Sequence, residues 1–301
     1  MTERYIGKTV AFLTQHGKTQ LIGPALEAAL GCVVVRAEGY DTDCLGTFSG
    51  EIKRLDNQLQ TARMKARIGM DLTGASLGIA SEGSFVADPF GGWMPWNIEV
   101  LVWIDDEHQL EIVGMAQGPA RSRHACLRSL SDLEKFAREA GFPEHHLILR
   151  PQSELDPRAQ KGLCDWHALQ QAFTVCQQQA NNQLVYAEND HRAFCDPTRQ
   201  SMIQRAAADL LQKIQSRCPV CQMPGFSITS HATPQDFHAA RAATGPDWLN
   251  LTHGNATFVI TGLNKPHETR MQMRVAVTSV TLDRSSGAAN AHTDSASNAQ
   301  G

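Results

Sequence analysis

"TVAFLTQHGKTQLIGPALEAALGCVVVRA", residues 9–37, decides the class of fold. Its opening, TVAFL, is an apolar run of strand length. QLIGPALEAALG then places apolar residues at helical spacing and stops at Gly31, a residue that accepts the left-handed turn closing a helix. CVVVRA is β-branched and reads as a second strand. Strand, helix and strand in close succession point to an α/β fold with parallel pairing.

The same alternation continues outward. DNQLQTARMKARIGMDLTG, residues 56–74, is amphipathic, with Asp56 as the expected N-cap and Gly74 beyond the end. SLGIAS reads as a third strand, followed by a Gly-, Pro- and Trp-rich loop over 82–95. IEVLVWID and QLEIVGM flank DEH as an antiparallel hairpin. Helices are expected over 131–140, 165–178 and 198–216, with strands at LILR and LVYAE between them. The expectation is an α/β domain over 1–217, a mixed sheet of parallel and antiparallel strands flanked by helices. Residues 218–229 read as the remnant of a zinc knuckle. From 230 no period is sustained, and residues 230–301, with the polar ending SSGAANAHTDSASNAQG, are expected to be a disordered tail.

Composition narrows the function. The 301 residues are 42% hydrophobic and 19% charged, a soluble globular balance. A formal net charge of −4 argues against coating nucleic acid or an anionic membrane. The N-terminus lacks a signal-peptide pattern, and no apolar run approaches the ~20 residues of a membrane span. Cys32, Cys44, Cys126, Cys164 and Cys176 stand singly, as reduced cytoplasmic thiols do.

Four stretches carry candidate chemistry. LTQHGKTQ sets His16, Gly17 and Lys18 directly after the first strand, where open α/β sheets hold ligands and a Lys can neutralise a phosphate. An ordinary strand-to-helix turn with solvated charges is the alternative. EGYDTDCLGTFSGEIKR, residues 38–54, gathers Asp41 and Asp43 in a long irregular segment, suited to magnesium or simply to a solvated loop. ASEGSF puts Glu82 at the end of the third strand, placed to hold a metal or act as a base. ENDHRAFCDPTR packs Asp190, Arg192, Asp196 and Arg199 between a strand and a helix. Asp196 suits a helix cap, and the remainder suits either an anion site or an ion-pair network.

Together these stretches resemble a bacterial family of unknown function. Its members share T-x-H-G-K, G-x-D-T-D-x-x-G-T-F, A-S-E-G-S-F, G-F-P-x-H-x-L-I-L-R-P and R-A-x-x-N-P-T-R. Here these fall at 16–18, 39–48, 80–85, 141–151 and 192–199, with Asp196 replacing the usual Asn, and the resemblance spans residues 9–229. Such proteins end in a zinc-binding tail, C-P-x-C-G-x-P-G-F followed by two further Cys-x-x-Cys pairs. Cys218 and Cys221 match its first pair, Gln222 replaces the Gly, and no cysteine follows Cys221. Two thiolates are half of a structural zinc site. His231, His238 and His253 lack the spacing to complete it. Reading the third base of each codon with the first two of the next, from Gln235 onward, admits G-L-P-C-x-A-C-G and then another Cys-x-x-Cys. A one-nucleotide slip within 228–235 is therefore the expected cause of the missing ligands. A divergent tail whose codons merely permit cysteine is the alternative.

Residues 9–105 also resemble inosine/xanthosine triphosphatases, in the order strand, Lys-bearing loop, helix, strand, acidic loop, A-R-x-K-A helix and S-E-G. That resemblance implies that Lys18 with Arg63 or Lys65 holds phosphates, while Glu82 with Asp41 or Asp43 holds magnesium. Two functions are thus expected. One is a magnesium-dependent nucleotide pyrophosphohydrolase-like enzyme acting on a phosphorylated small molecule. The other is a small-anion-binding or regulatory module, whose zinc tail docks nucleic acid or protein in intact relatives.

Overall fold

The TVAFL run forms β1 (Thr9–Leu13), and the helix after it, α1 (Lys18–Leu30), ends at Gly31 in the left-handed conformation. The computed structural model describes residues 3–15, 17–42, 57–218, 222–226, 249–253, 256–261 and 272–276. The chain divides into two compact units, Met1–Ser230 and His231–Gly301.

In the first unit, β1 is followed through α1 by β2 (Val33–Ala37), and α2 (Gln58–Thr73) leads to β3 (Leu77–Ala87). The hairpin partners β4 (Pro95–Asp105) and β5 (Leu110–Pro119) complete a five-stranded sheet of order β2-β1-β3-β4-β5. β1 pairs parallel to both β2 and β3, whereas β4 and β5 run antiparallel to their neighbours. The expected mixed α/β architecture is the one observed. Because β2 and β3 lie on opposite sides of β1, the carboxyl end of β1 is a topological switch point, the place where such sheets leave a crevice.

Alternation along the strands fills both faces. Val10, Phe12, Leu77, Ile79, Leu101 and Trp103 pack with side chains of α1 and α5 (Pro197–Gln215). Ala11, Ala80, Val100, Val102 and Ile104 meet Ala62, Ala66 and Met70 of α2. Each fully buried aliphatic or aromatic side chain contributes about 1.5–3 kcal/mol relative to exposure.

A second sheet follows where the sequence pattern implies only a continuation of the first. β6 (His124–Leu127), β7 (Leu147–Pro151), β8 (Gln160–Leu163) and β9 (Val185–Asn189) pair antiparallel in the order β6-β9-β7-β8. α3 (Leu130–Ala140) and α4 (Trp166–Gln179) cover one face, over Leu147, Leu149, Val185 and Ala187. α3 begins with a Ser129–Asp132 capping box, and α4 is capped by Asp165. β6 and β8 carry no signal in the sequence: HACL and QKGL are too short to show a strand period.

Two boundaries are corrected. Half of the 82–95 loop is strand, since β3 runs to Ala87 and β4 begins at Pro95. The remaining turn is organised by Asp88, whose carboxylate accepts from Phe90, Gly91 and Met94 N–H at 3.0, 2.9 and 2.8 Å. The cap of α2 is Asn57, accepting from Gln60 N at 3.0 Å. Asp56 lies outside the described residues.

The described part of the knuckle motif forms a turn against the end of α5. Cys218 N donates to Met223 O and Gln222 N to Cys218 O, both at 2.9 Å, while Gly225 N reaches Lys213 O at 2.9 Å. In the second unit, β10 (Leu249–His253), β11 (Ala256–Thr261) and β12 (Gln272–Ala276) form an antiparallel sheet in sequence order. The rest of 230–301, where the disordered tail is expected, lies outside the described residues.

Candidate anion-binding site

β1 pairs with β3 only as far as Phe12–Ile79, so β3 continues past the end of its neighbour. Lys18, the first residue of α1, fills that gap. Gly17 precedes it with φ 74°, the left-handed turn that sets the helix off directly after the strand. The Lys18 side chain folds inward until the residue is 7% exposed. Its ammonium donates to Ser81 O at 2.9 Å and to Ser81 Oγ at 3.3 Å, both uncharged acceptors. Burial pushes its pKa down to about 8, the nearby Arg199 charge pushes the same way, and Glu99 and Glu82 pull against them.

Two buried carboxylates flank this lysine on opposite faces of the β3–β4 hairpin. Glu82, 3% exposed, forms an ion pair with Lys65 of α2. Glu99, fully buried, accepts from Arg199 Nε of α5 at 2.7 Å and from Asn97 Nδ2 at 3.1 Å. Gly83 stands opposite Glu99 in register. A Cβ there would lie 2.2 Å from Glu99 Oε1 and 2.7 Å from Arg199 Nη2, so only glycine leaves room for the pair. Glu99 Oε2 and Asn97 Oδ1 are buried without a partner among the described residues.

The loop after β9 closes the site from the second sheet. Asp190 takes Arg192 Nε at 2.9 Å and Gly162 N at 3.0 Å. Burial alone would raise the Asp190 carboxyl, but the Arg192 hydrogen bonds and charge outweigh it and hold it below its ordinary value. Arg192 lies over the Phe194 ring at 4.8 Å. Phe194 in turn adjoins the β1–α1 loop, since a Cβ on Gly17 would sit 3.8 Å from Phe194 Cβ. Lys161, Glu188, Asp190, His191 and Arg192 line a small cleft of about 40 Å³ on the uncovered face of the second sheet. Close by, Arg150 pairs with Glu188.

The structure therefore brings described residues of all four candidate stretches together. Gly17 and Lys18, Glu82, and the 190–199 segment with Asp190, Arg192 and Arg199 meet around the carboxyl end of β1. Asp41 reaches the same end, accepting from Gln15 Nε2 at 3.1 Å. Lys65 joins through Glu82, whereas Arg63 does not: its Nε donates to both carboxylate oxygens of Glu111, at 2.8 and 2.9 Å, on β5. Asp196 is the N-cap of α5, accepting from Arg199 N at 3.0 Å. His16, Asp43 and Cys221 lie outside the described residues. Cys218 is buried. Among the described residues no group of three or more His, Cys, Asp and Glu gathers as a metal-ligand set. Sequence reasoning missed Glu99 and Asn97, both in the apolar-looking strand β4. The only signal was one charged and one amide residue, two apart, on the face where Leu101 and Trp103 are buried.

A family model for a domain of unknown function, DUF6671, matches residues 65–239, more than half of the chain. The chain belongs to this family. The matched span holds Lys65, Glu82, Glu99, Asp190, Arg192, Arg199 and the Cys218–Cys221 pair, and it ends shortly after the point where the zinc-tail motifs stop. Lys18 and Asp41 lie before it. No protein of curated function matches the chain.

Proposed function

We propose that the protein binds a phosphorylated small molecule at the carboxyl end of β1, with Lys18 as the cation that takes the phosphate. One observation carries this reading: a buried ammonium whose hydrogen-bond partners are two neutral oxygens of Ser81, at the switch point of the sheet. An oxyanion placed there supplies the counter-charge that the fold withholds, and its binding raises the Lys18 pKa from about 8. Arg192, stacked over the Phe194 ring that adjoins Gly17, would be the second cation for the ligand. The single cysteines, among which Cys32, Cys126, Cys164, Cys176, Cys195 and Cys218 form no disulfide, fit a cytoplasmic setting. Among the described residues no helix is long and apolar enough to cross a membrane.

A second reading adds chemistry. Glu82 is close enough to Lys18 for its charge to be felt there, and Asp41 stands at the same end of the sheet. Those carboxylates would hold magnesium once Lys65 releases Glu82, and the ion would polarise a phosphate and activate water. This is the nucleotide pyrophosphohydrolase expectation, narrowed to Glu82 and Asp41.

Thermal melting in the presence of inorganic phosphate, pyrophosphate and a nucleotide panel tests the binding. A ligand present at 100 times its Kd stabilises by about 2.7 kcal/mol, so a dose-dependent rise in Tm is expected for the wild type and none for Lys18→Met. Equal shifts in the two proteins would remove Lys18 from the site. Pyrophosphate release in magnesium, lost in Glu82→Gln, separates the enzyme from the binding module.

A further inference from the structure

A different group of side chains, on the far side of the 190–196 loop, has the connectivity of a nucleophile, a base and an orienting acid. Ser122 lies in the link between β5 and β6, and His191 and Asp196 bracket the loop before α5. His191 Nε2 is 2.9 Å from Ser122 Oγ, and His191 Nδ1 is 2.9 Å from Asp196 Oδ2. Asp196 is 1% exposed, while Ser122 and His191 are only partly buried.

The hydrogen bonds fix the roles. Burial alone would raise the Asp196 carboxyl, but the His191 hydrogen bond and the Arg199 N–H outweigh it and hold it below its ordinary value, ionised. An ionised acceptor at Nδ1 places the imidazole proton there, which leaves Nε2 as the acceptor for the Ser122 hydroxyl. The ring cannot swing away easily: Phe85 stacks on it at 4.0 Å with the planes 25° apart. Its backbone is tied as well, since the His191 carbonyl accepts from Arg199 Nη1. A second histidine faces Asp196. His145 lies 3.5 Å from Asp196 Oδ1 and bonds Thr198 Oγ1 at 2.8 Å, with burial lowering its pKa.

We propose that Ser122 is an activated nucleophile for acyl transfer, with His191 as its general base and Asp196 as the residue that orients and charges the imidazole. The substrate class is a carboxylic ester, whose carbonyl carbon the partly buried Ser122 hydroxyl can reach from solvent. In the reaction the Ser122 oxygen bonds to the ester carbonyl carbon as its proton passes to His191 Nε2. The bond to the leaving oxygen then breaks, and the alcohol departs with the proton from His191. Water repeats the two steps on the acyl-serine, giving the carboxylic acid and restoring the hydroxyl, while Asp196 stays ionised throughout.

An alkyl fluorophosphonate, which phosphorylates activated serines with loss of fluoride, tests the proposal on the full chain. The expected result is one adduct by intact mass, mapped to Ser122 and absent in Ser122→Ala. His191→Gln should slow labelling at least ~100-fold, a typical loss for a general base. Asp196→Asn keeps the helix cap and should also label more slowly, which guards against reading an unfolded variant as an inactive one. Absence of an adduct on folded wild type would overturn the proposal. So would a labelling rate unaffected by His191→Gln.

Discussion

Two of the three helices that cover the first sheet each deliver one cation to one buried carboxylate of the β3–β4 hairpin. Lys65 of α2 neutralises Glu82, and Arg199 of α5 neutralises Glu99. Lys18 of α1 stands between these pairs with neutral oxygens for partners. All three cations have been drawn out of water, but only two have been given a counter-ion by the fold. The compensated pairs specify how the helices sit on the sheet. The uncompensated cation costs stability, and that cost marks it as a ligand group.

Breaking a compensated pair should produce the largest effect. Arg199→Met leaves Glu99 fully buried without its counter-charge, and a loss of about 3–5 kcal/mol is expected in urea unfolding. The double change Arg199→Met with Glu99→Gln should recover much of it, because the buried charge is then gone. A single variant as stable as the wild type would show that the pair contributes nothing to the fold. Lys65→Met should cost less, about 1–3 kcal/mol, because Lys65 keeps 12% of its side chain in solvent and Glu82 keeps 4%. A loss equal to that of Arg199→Met would erase the distinction between the two faces.

These pairs also mark where the sequence stops being readable. TVAFL, CVVVRA and the β4–β5 hairpin announce themselves because their apolar side chains alternate or run together, and local composition is enough. The continuation of β3 through Glu82, Gly83 and Ser84 reads as loop because buried charges look like solvent-facing ones when their partners are unknown. Those partners are far along the chain: Arg199 is 100 residues from Glu99. Nothing local to β4 predicts that an arginine from α5 will meet it. Lys18 was legible for the opposite reason, since its importance follows from its position after β1 and not from a partner. The Ser122–His191 contact spans 69 residues and is likewise invisible locally, although His191 and Asp196 both fall within the ENDHRAFCDPTR stretch.

Lys18 should have an effect on stability comparable to that of Lys65 but more diagnostic. Its folded pKa of about 8 lies below the 10.5 of an unfolded lysine. Between those values the unfolded chain holds a proton that the folded chain has released, so stability rises with pH across the window. A tenfold difference in proton affinity between the two states corresponds to about 1.4 kcal/mol, which makes the full rise on the order of 3 kcal/mol. Lys18→Met should remove that slope, and the difference between the two urea-stability profiles from pH 7 to pH 10 isolates it from other titrating groups. Parallel profiles would mean that Lys18 carries no penalty. The turn at Asp88 offers a still smaller contrast at the other end of the scale. Its N–H donors hold its pKa down to about 2, so its contribution is present above pH 3.8 and lost as pH falls towards 2. Asp88→Asn should flatten that acid limb with little change at neutral pH, and an unchanged acid limb would count against the turn's role.

Titration of Lys18 itself, followed by NMR of the ζ-nitrogen in free protein and with inorganic pyrophosphate, bears most directly on the uncompensated cation. A pKa near 8 is expected in the free protein, with a clear upward shift when pyrophosphate is added, as the oxyanion becomes the missing counter-ion. An ordinary lysine value in the free protein, or a depressed one that pyrophosphate leaves where it was, would contradict the assignment of Lys18 as the phosphate-binding group.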